Sequence, residues 1–272
     1  MARWLGHPRI ELEVCNSTND EAAERAARGA NHGTVVIARA QRKGRGRKAR
    51  SWYSPPGENL YLSCVLRPTI DSALVPPITL AAGVAVARTV NSTGASASLK
   101  WPNDVVADGR KLAGILTEMN SRGQGVDHVI LGIGVNLDSG EFPAELADSA
   151  VSLGQLGVSV ERGEFLARLL DELEIWLDRF LAGGVSAIAD PWLELAGLGG
   201  VSSPSHGRAP HRPRVRVGSV EGRVAGIDGG GFLLIEDEKG HTHRIIAGDV
   251  HPVTSAIMPS VTSRPGDGND ST

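Results

Sequence analysis

The chain has 272 residues, 41% of them hydrophobic, which is enough for one large domain and one small one around a sizeable core. Its 28 basic and 31 acidic residues leave a net charge of −3, which argues against a dedicated nucleic-acid binder. Cys15 and Cys64 lie in or beside apolar runs, with no CxxC and no metal-ligand spacing, so buried free thiols in a reducing compartment are expected.

In chain order, Ile10–Val14 alternates apolar and acidic residues and reads as a strand. Asn16–Glu21 is an N-cap cluster, and Ala22–Arg28 reads as a helix stopped by Gly29. Strands are expected at 34–38 and 59–66, flanking a loop rich in glycine and arginine. Ile78–Val90 is apolar nearly all round and reads as a buried helix. Short strands are expected at about 97–101, 104–107, 111–119 and 127–134. Glu161–Leu181 is the clearest amphipathic helix, with Phe165, Leu169, Leu173, Trp176, Leu177 and Phe180 on one face. A second helix follows over about 185–196. Residues 199–213 read as a linker or insertion. Four short strands over 214–247 suggest a small SH3-like β-barrel spanning 214–253, and 254–272 has the composition of a disordered tail. The opening residues break any signal-peptide pattern. No window reaches the roughly 18 consecutive apolar residues of a membrane span. A cytoplasmic protein without a membrane partner is expected.

Two segments carry chemistry. The first is the loop Gln41-Arg42-Lys43-Gly44-Arg45-Gly46-Arg47-Lys48-Ala49-Arg50-Ser51-Trp52, which offers guanidinium forks to a phosphate or carboxylate. It is short, lies between two strands and ends at an aromatic residue, unlike a repeated nucleic-acid tail. The second is Lys100-Trp101-Pro102-Asn103-Asp104, followed by Lys111-Leu112-Ala113-Gly114-Ile115-Leu116. It sets a lysine, an amide and a carboxylate beside apolar strands. Together the segments describe a pocket for an anionic substrate and its nucleotide.

Those two segments, with Ser17-Thr18-Asn19 and Gly132-Ile133-Gly134-Val135-Asn136-Leu137, occur in the order found in bacterial biotin protein ligases, and the chain resembles that family over about 8–253. The resemblance implies an α+β fold: a class II synthetase-like domain with a mixed or antiparallel sheet packed by helices over 1–198, plus the C-terminal SH3-like barrel. It implies use of ATP and Mg2+ to make biotinyl-5'-AMP and transfer of biotin to a lysine of a biotin carboxyl carrier protein. Monomer and homodimer are both compatible with it. Three departures stand out. Ala49 replaces a usual glycine, the segment 199–212 is long, and the N-terminal DNA-binding domain of bifunctional members is not expected, so no DNA partner is carried over.

By the same resemblance, Ser17, Thr18, Asn19, Gln41, Arg45, Gly46, Arg47, Lys111 and Gly114 line the biotin end. Hydroxyls and amides complement a ureido ring with one carbonyl and two N–H groups. Lys111 and Arg47 are the expected catalytic cations. Trp52, Lys100, Asn103 and Asn136 are expected at the nucleotide, Trp52 as a stacking face for adenine. Asn136 reads equally as a brace for a strand end. Asp104 is either a Mg2+ ligand or the base for the acceptor lysine, and both readings stand at this level. Trp101 reads as core. The loop 41–53 is expected to be mobile when empty, with no acidic run beside it. Rival readings are a lipoate–protein ligase on the same fold, a non-enzymatic nucleic-acid module and a biotin-sensing repressor.

Overall fold

The computed structural model describes residues 3–122, 125–138, 140–199 and 212–253. Most of the expected linker, with His206 and His211, and the expected tail from 254 onward lie outside the described residues.

Seven strands form one sheet in the order β1-β2-β3-β7-β6-β5-β4. They are β1 (Arg9–Cys15), β2 (Val35–Gln41), β3 (Leu60–Leu66), β4 (Ser98–Lys100), β5 (Asp104–Ala107), β6 (Arg110–Arg122) and β7 (Gly125–Val135). The β1–β2 pair is parallel and the other pairs are antiparallel, so the sheet is mixed. A parallel pair needs a crossover, and helix α1 (Thr18–Ala27) supplies it.

Alternation along the strands gives the sheet two apolar faces. Val35 and Ile37 of β2 join the main core, whereas Val36 faces Ala22 and Ala26 of α1, together with Val65 and Ile130. The main core lies under α2 (Ile78–Asn91), α4 (Arg162–Gly183) and α5 (Ser186–Leu195). With its preceding turn, α2 makes a 20-residue stretch that holds an 18-residue window of mean hydropathy 1.6, long enough for a membrane span. Eleven of its 14 residues are buried inside the protein, which accounts for its composition as a core helix. Its alanines let it lie close to α4 and α5, and Trp192 of α5 meets Trp101 edge to face at 5.4 Å. Trp101 is core, as expected. The amphipathic helix α4 buries the expected face and is N-capped by Glu161, whose carboxylate accepts from the N–H groups of Gly163 and Glu164. The cysteines are free and buried. Burial pushes the Cys15 thiol up to about 11 and the Cys64 thiol to about 12, so both are inert at neutral pH.

The second sheet is wholly antiparallel, in the order β11-β10-β9-β8-β12. It comprises β8 (Arg214–Val217), β9 (Val220–Ile227), β10 (Leu233–Glu236), β11 (Thr242–Ile245) and β12 (His251–Pro252). Its SH3-like fold is the one expected. Strand β12 has only two residues, one of them a proline, too short to leave a periodic signal, and the four-residue α3 (Ala144–Ala147) escaped for the same reason. One boundary needs correction. The first helix begins at Thr18 rather than Ala22, so Thr18 and Asn19 belong to its first turn.

Candidate active site

The N-terminus of α1, the 41–53 loop and the glycine-bearing stretches of β6 and β7 converge on one cavity. Ser17, Thr18, Asn19, Gln41, Arg45, Gly46, Arg47, Trp52, Asn103, Lys111 and Gly114 all line it. These are the expected biotin-end residues, joined by two of the four expected at the nucleotide. Ser17 occupies the N-cap position but makes no capping bond, so its side chain is spent on the cavity rather than the helix. Thr18 donates to Gln41 Oε1 from both N (2.8 Å) and Oγ1 (3.1 Å). Gln41 Nε2 donates to Ser54 Oγ at 2.9 Å, and Ser54 Oγ donates to the Trp52 carbonyl at 3.1 Å. A polar chain thus runs from α1 to the loop.

Two glycines open the sheet floor. A Cβ on Gly132 would lie 2.0 Å from Asn19 Oδ1, and one on Gly134 would lie 2.5 Å from Trp52 Nε1. Each glycine is the seat of a site side chain. Gly114 pairs in register with Gly134 and shares the Trp52 seat. The cavity that remains is about 50 Å³, room for a few waters.

The loop is tied to the sheet and to α1 by its arginines. Arg45 forks onto Glu118, with Nη1 to Oε1 at 2.8 Å and Nη2 to Oε2 at 2.7 Å, and its Nη2 also lies 2.8 Å from Asp20 Oδ1. Arg47 Nη1 donates to Asn103 Oδ1 at 3.0 Å. The acidic partners come from α1 and β6, far away in the sequence, which is why no acidic run was visible beside the loop. Two non-glycine residues in the loop hold left-handed backbone, Lys48 at φ 56° and Ala49 at φ 58°. Ala49 is the position where the resemblance expected glycine.

Lys111 Nζ lies 2.7 Å from Asp104 Oδ1 and 5.3 Å from the centroid of the Trp52 ring. Beside this group a second cleft of about 150 Å³ is lined by Trp52, Tyr53, Lys111, Asn136, Phe142, Leu146 and Ala150, among others. A third, also about 150 Å³, is polar. It runs from Arg47, Lys48 and Arg50 past Asn103, Asp104 and Lys111 to Ala247, Gly248 and Asp249 of the small barrel. Lys111 borders all three spaces. Its backbone is fixed on both sides: its N–H donates to the Ser149 carbonyl, and its carbonyl accepts from Val151 N and, at 3.4 Å, from Asn136 Nδ2.

Asn136 therefore braces the strand end, and it also lines the apolar cleft. Asn103 braces too, donating from Nδ2 to the Ile115 carbonyl at 3.0 Å while it holds Arg47. Lys100 stands apart. It is exposed on β4, borders none of these three spaces, and meets the site only through backbone pairing with Asp104. Among the described residues no group of three or more His, Cys, Asp or Glu could hold a metal ion by itself. Asp104 offers one carboxylate to a cation whose other ligands are phosphate oxygens and water, the usual arrangement for Mg2+ on a nucleotide. Glu118, Asp20, Ser54, Ser63, Tyr53 and Phe142 were missed. For Glu118 a signal existed: counting in twos from Gly114 along a strand puts Leu116 and Glu118 on the same face.

The sequence profile described as "Biotin/lipoate A/B protein ligase family" matches residues 11–136, and that described as "Biotin protein ligase C terminal domain" matches 214–251. The biotin–[acetyl-CoA-carboxylase] ligase of Mycobacterium tuberculosis is 36% identical over 86% of this chain and 85% of its own length. The enzyme of the same name from Paracoccus denitrificans is 32% identical over 84% of this chain and 94% of its own. A bifunctional ligase/repressor of Bacillus spizizenii is 36% identical over 87% of this chain and 71% of its own. Among solved structures, the Aquifex aeolicus biotin protein ligase in complex with biotin and ATP superposes with TM-score 0.67 and 27% identity, covering 91% of this chain and 99% of that one. The chain belongs to the biotin protein ligase family.

Proposed function

We infer that the chain is an ATP-dependent biotin–protein ligase, with a biotin carboxyl carrier domain as acceptor. The observation that carries the residue-level reading is the place of Lys111, at the junction of the polar cavity, the apolar cleft and the cationic cleft. Biotin's ring system suits the hydroxyls and amides of Ser17, Thr18, Asn19 and Gln41. Adenine suits the cleft walled by Trp52, Tyr53 and Phe142, with Asn136 at its edge. The triphosphate suits the cleft lined by Arg47, Lys48 and Arg50. The carboxylate of biotin and the α-phosphate then meet beside Lys111.

In the first step a carboxylate oxygen attacks the α-phosphorus, the P–O bond to pyrophosphate breaks, and biotinyl-AMP forms. Two anions approach each other, so the cation between them stabilises the transition state more than the separated reactants. Arg47, held by Asn103, adds a second positive group on the same side. Bound Mg2+ would screen phosphate charge from Asp104. In the second step the ε-amine of an acceptor lysine attacks the acyl carbon, AMP leaves, and the nitrogen loses a proton as the amide forms. On this reading Asp104 receives that proton once Lys111 is engaged with phosphate.

Incubation with ATP, Mg2+, labelled biotin and a biotin carboxyl carrier domain tests this reading. Biotinyl-AMP and label on a single carrier lysine are expected. Adenylate without labelled carrier would overturn the acceptor, and no adenylate would overturn the enzyme.

A further inference from the structure

One carboxylate outside the expected machinery touches both walls of the polar cavity. Glu118 Oε2 accepts from Asn19 Nδ2 at 2.7 Å and from Arg45 Nη2 at 2.7 Å, while Oε1 accepts from Arg45 Nη1 at 2.8 Å. Asn19 is pinned on its other side, where Ser63 Oγ lies 2.6 Å from its Oδ1. The Ser63 contact and the Glu118 contact together fix which way the Asn19 amide faces. Asn19 rests on Gly132, where any side chain would collide with it. Arg45 belongs to the 41–53 loop, which lines the cavity on the other side. Glu118 therefore joins the wall made by α1 to the wall made by the loop.

We propose that Glu118 is a positioning residue for the ligand cavity. Its carboxylate orients Asn19 toward the ligand and latches the 41–53 loop through Arg45, so that it sets how long bound biotin is retained. The inference rests on the reading of this cavity as the biotin site. The latch is two parallel charge-assisted hydrogen bonds, the strong form of such a contact. Its surroundings are half exposed, with side-chain accessibility 42% for Arg45 and 36% for Glu118, so salt weakens it and opening stays easy. Asp20, on the same Arg45 nitrogen, adds charge but no second fork. A lid that must open each turnover needs such a contact, strong in geometry and shallow in burial.

The test is the biotin dissociation rate of the full chain, by stopped-flow chase with unlabelled biotin, for wild type, Glu118→Gln, Arg45→Gln and the double variant. Glu118→Gln should release biotin roughly three- to tenfold faster, because loss of a contact made in the bound state shows mainly in the off-rate. Added salt should speed release from wild type more than from Glu118→Gln. The double variant should release more slowly than the product of the two single effects would give, a coupling that independent residues lack, and a full product would overturn the latch. If Glu118→Gln folds poorly, Glu118→Asp, which keeps the charge and withdraws it by one methylene, is scored the same way against wild type. A lowered melting temperature with an unchanged off-rate would mean a structural role only and would overturn the proposal. Failure of the wild-type chain to bind biotin at all would instead overturn the reading of the cavity.

Discussion

Lys111 Nζ stands 2.7 Å from Asp104 Oδ1, the two residues facing each other from neighbouring strands. This carboxylate pairs with the cation that the proposed reaction uses. In the proposed reaction a nucleotide phosphate competes for Lys111 and releases Asp104. Lys111→Ala should reduce adenylate formation about 10²- to 10³-fold, the usual effect of removing one transition-state contact. The fold should survive, because the loss is of a half-buried charge and not of core volume. Adenylate synthesis within about threefold of wild type would falsify the catalytic role.

Arg47 lies over the cavity with its guanidinium held by Asn103 at 3.0 Å. Arg47→Gly should raise the off-rate of biotinyl-AMP, and the escaped adenylate should label lysines of a bystander protein. Asn103→Ala should show a weaker form of the same leak, since it removes the brace and keeps the charge. Mass spectrometry of a bystander incubated with each variant decides this. Equal bystander labelling by wild type and Arg47→Gly would remove the retention role.

Ala49 holds a left-handed backbone at φ 58°, which costs a residue with a Cβ roughly 1–2 kcal/mol. Ala49→Gly should relieve that strain and favour the closed loop by about 1 kcal/mol once the extra entropy of glycine is counted. Limited trypsinolysis reads the effect. Arg42, Lys43, Lys48 and Arg50 are exposed and should be the first cleavage sites, whereas Arg45, exposed but forked onto Glu118, and the half-buried Arg47 should be slower. Biotin with ATP should protect the whole loop. Cleavage of Ala49→Gly faster than wild type, or cleavage unaffected by ligands, would contradict this picture of the lid.

Glu174 of α4 anchors the N-terminal segment. Burial pushes its carboxyl up. That effect is outweighed by the N–H groups of Trp4, Arg3 and Leu5 and the Arg3 side chain, which bring it down to about 2. A carboxyl lowered on folding adds stability that is present above its ordinary value of 4.5 and lost as pH falls toward 2. The segment should therefore loosen between about pH 4.5 and pH 2, with a stake on the order of 3 kcal/mol. Glu174→Gln should be less stable than wild type at pH 7 and should lose less stability over that acid range. Urea unfolding at several pH values measures both. Parallel pH curves for the two proteins would show that Glu174 is not the titrating group.

Local pattern made much of the site legible. Ser17-Thr18-Asn19, the Gly/Arg loop and Lys111 were each singled out from the sequence, and the structure brings them to one cavity. The ties across long sequence separations were not legible. Arg45 meets Glu118 73 residues away, and Asn19 meets the same carboxylate 99 residues away. No window of sequence holds both partners, and pairing them needs the order of the strands. Lys100 shows the opposite failure. Its place in a run with Trp101, Asn103 and Asp104 suggested a shared site, but alternation on β4 turns Leu99 inward and Lys100 to solvent. Asn136 was left as brace or contact, and it proved to be a brace that also borders a cleft.

The most direct test of the central claim is adenylate formation by the purified chain with ATP and Mg2+, comparing biotin with lipoate, which a relative of the same fold would use. Biotin should give a bound acyl-adenylate with release of one pyrophosphate, lipoate should give none above background, and Lys111→Ala should give neither. An adenylate formed with lipoate in preference to biotin would contradict the account.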